Sequence, residues 1–128
     1  MMSKSEKISL LMSLSNEVDF FVGEVKGFIP SLLTDRYQMT ELEYVDTILS
    51  VVDVEKIDLE KKLRGVYEKH LDDDELDNLI LLCGAYTKVE IQPELYDALE
   101  DAKDSWFDGF IFKVDLIMGK MQDGDFSN

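Results

Sequence analysis

Residues 63–82, LRGVYEKHLDDDELDNLILL, decide the predicted fold, because they contain the end of one helix, a sharp corner and the start of the next. Asp72 stands where a helix N-cap belongs. Glu75, three residues later, can accept a bond from the backbone N–H of the cap, which completes a capping box. Leu71 and Leu76 have the spacing of a hydrophobic staple across the same corner. The stretch therefore predicts two helices joined at residues 71 and 72.

Helical periodicity also fills the amino-terminal part of the chain. Apolar residues recur every three or four positions over residues 5–29, which predicts a first amphipathic helix. Pro30 is expected to end or kink this helix, because proline has no backbone N–H and restricts the residue before it. Residues 31–39 are then predicted to connect to the second helix.

Two further helical starts are predicted between that connection and the corner. Thr40 is expected to open the second helix, because Glu43 follows it at the spacing of a capping box. Asp53 is the candidate cap of a third helix that runs to about residue 70.

The carboxyl-terminal half is predicted to hold two helices. The fourth runs from residue 73 to about residue 83, and Gly84 is a natural C-terminal stop. Residues 85–92 are expected to form a loop. Pro93 suits the first turn of a long last helix that extends to about residue 121. The tail, residues 122–128, is expected to fray.

Length and composition point to one compact domain. A chain of 128 residues with 45% hydrophobic and 32% charged side chains can bury a single core, so residues 1–128 are interpreted as one helical domain. The predicted fold is an all-α bundle of about five helices with a long C-terminal helix.

The net charge of −15 sets the electrostatic character of the chain. Residues 41–104 contain 19 of the 28 acidic residues and only seven of the 13 basic ones. Such a field repels nucleic acid and anionic membranes and accelerates encounters with basic partners. It also favours solubility, an explanation that needs no partner. No apolar run approaches the roughly 20 residues of a membrane span. The single Cys83 and the lack of a signal peptide predict a cytoplasmic protein.

One row of acidic residues is the most specific pattern in the chain. Its members step by three and four positions along the predicted last helix and lie nearly opposite its apolar stripe. The row consists of Glu94, Asp97, Asp101, Asp104 and Asp108. Like charges at these spacings cost helix stability. A single-sign row therefore favours a basic partner, although a plain solvated face is the alternative.

A second acidic cluster follows the corner. Asp73, Asp74 and Asp77 lie in the first turns of the predicted fourth helix, where negative charge favours the helix dipole. A calcium loop would need alternate ligands and a glycine at its turn, which these contiguous acids lack, so no metal site is predicted. The cluster is a second candidate patch for a partner.

The remaining potentially reactive side chains are expected to have structural rather than catalytic roles. His70 is the only histidine, and no serine or cysteine is designated as its nucleophile, so we predict no catalytic residue and no cofactor. Cys83 has helical spacing from the apolar residues of the fourth helix, as a buried thiol does. Among the aromatic residues 106–112, most are expected in the core, with one or two forming an exposed apolar patch at a binding surface.

The corner also resembles a known family. Tyr67-x-Lys69-His70-Leu71-Asp72-x-x-Glu75-Leu76 is similar to the Tyr-x-Lys-His-Phe-(Ser/Thr)-x-x-Glu-Leu core of a bacterial helical family of unknown function, whose members are usually periplasmic. The resemblance implies a helical fold and no particular activity. It also implies an alternative function, that of a structural or envelope-associated module that acts as a homodimer.

These observations favour a non-enzymatic acidic protein that masks a basic site on a partner protein, such as a nuclease or another nucleic-acid-binding protein. Immunity proteins and phage inhibitors that mimic nucleic-acid charge work by the same physics, in which carboxylates replace phosphates. The homodimeric envelope module is the alternative. An enzyme that uses His70 or the clustered acids is the least supported reading.

Overall fold

Five α-helices and no strand make up the residues that the computed structural model describes, which are 2–39, 41–84 and 91–122. In chain order the helices are α1 (Lys4–Ser15), α2 (Glu17–Tyr37), α3 (Leu42–His70), α4 (Asp73–Gly84) and α5 (Pro93–Gln122). At 1.5 Å per residue, α3 and α5 are each about 45 Å long. The prediction of an all-α bundle with a long C-terminal helix is confirmed.

The central element of the bundle is α3. Helices α2 and α5 pack along it, while α1 packs mainly on α4 and also contacts α3. Every fully buried residue of the described chain is hydrophobic. At the centre, Trp106 stacks on Phe110 with ring centroids 5.4 Å apart and meets the ring of Phe21 edge-on at 5.8 Å. The indole N–H of Trp106 donates to the backbone carbonyl of Glu55 at 2.9 Å, so this core anchor is also satisfied as a donor.

The corner at residues 71 and 72 is confirmed. The carboxylate of Asp72 accepts from the backbone N–H of Glu75 at 2.8 Å, and the carboxylate of Glu75 accepts from the backbone N–H of Asp72 at 3.1 Å. Leu71 and Leu76 are both buried in the core. The capping box and the two leucines therefore set the start of α4 as predicted.

The predicted first helix is wrong in its boundaries. The chain breaks at Asn16, which adopts the left-handed conformation with φ 56°, and α2 then continues through Pro30 to Tyr37. Asparagine tolerates this conformation better than most residues. Pro30 is exposed, so its ring lies at the surface, while its neighbours Ile29 and Leu33 are buried in the core and hold the helix in place. Most of the predicted connection, residues 31–39, is helical.

The predicted boundary at Asp53 is also wrong. Residues 42–70 form one uninterrupted helix, and Asp53 lies in its middle, where its carboxylate pairs with Lys26 of α2 at 2.6 Å. Ile48 and Leu59 are buried on either side of it, so packing against α2 and α5 continues the helix through this point. Thr40 lies outside the described residues, and α3 begins at Leu42 with Glu41 at the N-cap position.

The remaining boundaries agree with prediction to within one or two residues. Helix α4 ends at Gly84, and α5 begins at Pro93 and ends at Gln122. The predicted loop at 85–92 lies outside the described residues from 85 to 90, and the predicted frayed tail does so from 123 onward. None of the described helices is both long enough and apolar enough to cross a membrane.

Candidate partner-binding surface

The acidic row of α5, Glu94, Asp97, Asp101, Asp104 and Asp108, is helical and exposed along its whole length. The opposite face of the same helix is buried through Leu95, Leu99 and Trp106. The row covers about 21 Å of the helix axis. Its predicted geometry, apolar residues inward and carboxylates outward, is confirmed.

Among the described residues, no lysine or arginine of the same molecule forms an ion pair with a carboxylate of the row. Six lysine and arginine side chains form ion pairs there, and all of them pair with carboxylates outside the row. These cations are Lys7, Lys26, Arg36, Lys56, Lys103 and Lys113. The fold thus neutralises acids between its helices and leaves this outward row charged.

Lys103 is the one cation within the span of the row, and it points away from it. Its ammonium group lies 2.9 Å from Glu17 of α2 and 3.4 Å from Glu100, and the side chain is only 15% exposed. Burial by itself would lower the pKa of Lys103, but the hydrogen bond and the charge of Glu17 outweigh it, so the pKa is raised and the side chain stays charged.

Glu17 also joins α3 to this contact. The buried Tyr67 donates its hydroxyl to the Glu17 carboxylate at 2.5 Å. Burial, and then the charge of Glu17, raise the pKa of Tyr67, which keeps the hydroxyl protonated as a donor. One carboxylate therefore holds α2, α3 and α5 together beside the row and fixes the direction in which the row faces.

The other half of α5 is also tied to its neighbours. Arg36 of α2 makes two hydrogen bonds to Asp115, at 3.0 and 2.8 Å, and the hydroxyl of Tyr37 donates to the same carboxylate. These contacts, the Arg36 guanidinium first, lower the pKa of Asp115. Lys113 pairs with Glu55 of α3 at 2.6 Å. Contacts to α2 and α3 on both sides of Asp108 make α5 a rigid support for the row.

The second predicted patch is weaker than its sequence indicated. Lys7 of α1 lies 3.5 Å from Asp73 and 3.1 Å from Asp77, and its side chain is only 13% exposed. Of the three carboxylates, only Asp74 is without an ion pair within the described chain. Asp73 and Asp77 therefore join α4 to α1, and the one positive charge of Lys7 offsets part of the negative charge of the three carboxylates.

The described residues around His70 include no hydroxyl or thiol nucleophile. It is exposed at the end of α3 and lines a cleft of about 210 Å³ together with Glu75, Asn78 and Glu94. No hydroxyl or thiol group is among the described residues of this cleft. Within the described residues, no three histidine, cysteine or acidic side chains are grouped as metal ligands would be. Cys83 is a free, half-buried thiol that lines an apolar cavity of about 180 Å³.

The structure contains an apolar groove that no pattern in the sequence predicted. This groove, the α3–α5 groove, has a volume of about 570 Å³. Its apolar walls are Val51 and Val54 of α3 with Leu116 and Ile117 of α5. Phe112, on the same helix, is 63% exposed, which agrees with the expected apolar patch among residues 106–112. The groove was not predicted because one of its walls is the continuous stretch of α3 on both sides of Asp53. The sequence had indicated a helix boundary at that residue.

Comparisons of the chain with protein-family models, with curated proteins and with solved structures returned no match. The resemblance at residues 67–76 is therefore neither supported nor refuted.

Proposed function

We propose that this protein is a non-enzymatic binding module whose acidic row covers a basic site on another protein. The observation that carries the proposal is the row itself: five exposed carboxylates on one face of a rigidly held helix, none of them paired within the described residues. A face that only needed to be soluble would be more stable with alternating charges, because like charges three and four residues apart repel.

The chemistry of the partner follows from the spacing of the row. Five charges over about 21 Å give one carboxylate per about 5 Å of helix axis, a regular line of negative charge. A protein that binds nucleic acid presents lysine and arginine side chains to a comparable line of phosphates. The proposed partner is therefore a basic protein of this kind, and the module is an inhibitor or an immunity-type protein.

The compartment is part of the same proposal. Cys83 is a free thiol, and a protein that works in the reducing cytoplasm keeps such a thiol without a disulfide partner. The proposed module is accordingly a cytoplasmic protein that meets its partner there.

The proposal is tested by affinity capture from a native lysate with three baits. The first is the wild-type protein, the second carries Asp101→Lys and Asp104→Lys in the row, and the third carries Glu24→Lys and Asp35→Lys. Glu24 and Asp35 are exposed on α2 and form no ion pair among the described residues, so the third bait has the same net charge as the second.

A basic protein retained by the wild type and by the α2 variant, lost from the row variant and eluted by high salt, is the expected result. Charge reversal in the row should weaken its affinity about tenfold or more, and the loss should be greatest at low ionic strength. Equal retention by all three baits, or equal loss from both variants, would contradict the proposal, because the overall charge rather than the row would then govern binding.

A further inference from the structure

A ridge of side chains leads from the acidic row into the α3–α5 groove. Residues four apart on an α-helix are rotated by about 40° from one another, so a row at this spacing winds slowly around the helix and forms a surface ridge. On α5 this ridge consists of Asp104, Asp108, Phe112, Leu116 and Lys120. Along its length the surface changes from acidic to apolar to basic.

The middle of the ridge is apolar and open. Phe112 and Leu116 are 63% and 53% exposed, and Val54 on the opposite lip of the groove is 70% exposed. Leu116 and Val54 line the groove from its two sides. Apolar side chains gathered in a concave surface next to charged residues are typical of protein-binding sites.

The two lysines at the rim of the groove differ in whether another residue of the described chain already pairs with them. Lys113 lies at the rim but pairs with Glu55 at 2.6 Å, so its charge is already compensated. Lys120, at the far end of the ridge, forms no ion pair among the described residues. The ridge is therefore acidic before it reaches the groove, at Asp104 and Asp108, and basic at Lys120, which lines the groove.

We infer that the α3–α5 groove binds the apolar residues of an amphipathic helix in the basic partner, with the cationic end of that helix over the acidic row. The inference rests on the proposed function and deepens it, because it specifies the recognised element. Four steps of about 40° put Asp104 and Lys120 on nearly opposite sides of α5, so one straight helix can follow only the middle of the ridge. That part, from Asp108 to Leu116, is about 12 Å long, or about two helical turns. The change of charge along the ridge sets the direction in which that helix lies.

A helix fits this surface better than an extended segment. The walls of the groove are the side chains of two α-helices, so a third helix can place its own ridge between theirs. Recognition by strand addition requires an exposed sheet edge, and the described residues contain no strand. Apolar anchors at helical spacing that follow a basic turn are therefore the expected signature of the partner segment.

The test uses two labelled synthetic helical peptides of about 20 residues. Both carry the same arginines in one half. The other half of the first peptide has leucines at helical spacing, and the second peptide has glutamines at those positions. Affinities are measured by fluorescence anisotropy for the wild type, for Val54→Gln with Leu116→Gln in the groove, and for Asp101→Lys with Asp104→Lys in the row. A matched control carries Phe20→Gln and Leu81→Gln, which remove exposed apolar side chains from α2 and α4.

The wild type is expected to bind the leucine peptide about tenfold more tightly than the glutamine peptide. The groove variant should lose that preference and still bind the glutamine peptide as the wild type does. The row variant should weaken both peptides, and the Phe20 and Leu81 control should change neither. Because every substituted side chain is exposed, all variants are expected to fold, which circular dichroism verifies.

The two hypotheses fail in different ways. If the groove variant keeps the leucine preference, the groove inference is overturned while the acidic row remains. If the row variant binds both peptides as tightly as the wild type does, the proposed function is overturned. A wild-type dimer that the groove variant abolishes would assign the groove to a second copy. A gain in affinity after deletion of residues 123–128 would assign it to the chain's own end. Either result overturns the inference.

Discussion

Removing two charges from the acidic row should stabilise the protein, although it should weaken partner binding. Asp101 and Asp104 make three like-charge contacts within the row, Asp97 with Asp101, Asp101 with Asp104 and Asp104 with Asp108, at spacings of three or four residues. Each such contact destabilises a helix by about 0.2–0.5 kcal/mol. The variant Asp101→Asn with Asp104→Asn removes all three, so the expected gain in the free energy of unfolding is about 0.6–1.5 kcal/mol. It also removes the contact between Asp104 and Glu100, which adds less because Glu100 pairs with Lys103.

Few other effects compete with this gain. Asparagine and aspartate have similar intrinsic helix propensities, so the substitution itself is nearly neutral. Both positions lie more than a turn from either end of α5, beyond the reach of the helix dipole. Neither carboxylate has an ion pair to lose within the described residues.

The assay is urea unfolding followed by circular dichroism at low salt and at about 1 M salt, where charge interactions are screened beyond about 3 Å. The matched control, Glu24→Gln with Asp35→Asn, removes the same net charge from α2, where neither residue has an acidic neighbour three or four positions away. The row variant should be the more stable of the two at low salt, and the difference should shrink at high salt. Equal stability of the two variants at low salt would refute the reasoning.

Three further substitutions test the contacts that hold the helices in place. Glu17→Ala should lower the free energy of unfolding by about 2 kcal/mol in urea titrations, because it removes the interhelix partner of the mostly buried Lys103. The pKa of Asp115 is lowered by Arg36, so its contribution is present above the unfolded-state pKa of about 4 and is lost as the pH falls through the folded-state value. The stability difference between the wild type and Asp115→Asn should therefore be constant from about pH 8 to pH 5 and shrink in more acidic buffer. Asn16→Val should cost about 1–2 kcal/mol, because Asn16 has φ 56°, whereas Asn16→Gly should be nearly neutral by thermal denaturation.

The structural features that could be predicted from the sequence are those whose causes lie within a few neighbouring residues. The corner at Asp72 is set by a capping box and a staple that lie within six residues, and its prediction is confirmed. The acidic row was predictable for the same reason, because helical spacing alone places its members on one face. The start of α5 at Pro93 likewise needs no distant contact.

Boundaries that depend on tertiary packing were not predictable in this way. Pro30 was expected to interrupt a helix, but its exposed position and the buried residues around it let α2 continue. Asp53 is of a residue type that favours the N-cap position, yet it lies within a helix and its partner Lys26 lies on another helix. Two errors in opposite directions, a break missed at Asn16 and a break added at Asp53, left the number of helices unchanged.

The same contrast between local patterns and packing between helices applies to the binding surface. Lys7 neutralises part of the second patch from 70 residues away in sequence, a pairing that no local pattern indicates. The α3–α5 groove is formed by residues of two helices that are separated by α4 and the segment after it. Charge patterns are visible in one helix, whereas their neutralisation and the concave surfaces between helices appear only after packing.

The central claim is that the acidic row, rather than the overall charge, receives a basic partner. Its most direct test is a titration of the ¹⁵N-labelled protein with the glutamine-containing arginine peptide, followed through the amide chemical shifts of each residue at about 0.15 M salt. The account predicts that the amides of residues 94–108 shift first and most, while those near Glu24 and Asp35 on α2 shift little. Shifts spread evenly over the exposed carboxylates, or absent from residues 94–108, would contradict it.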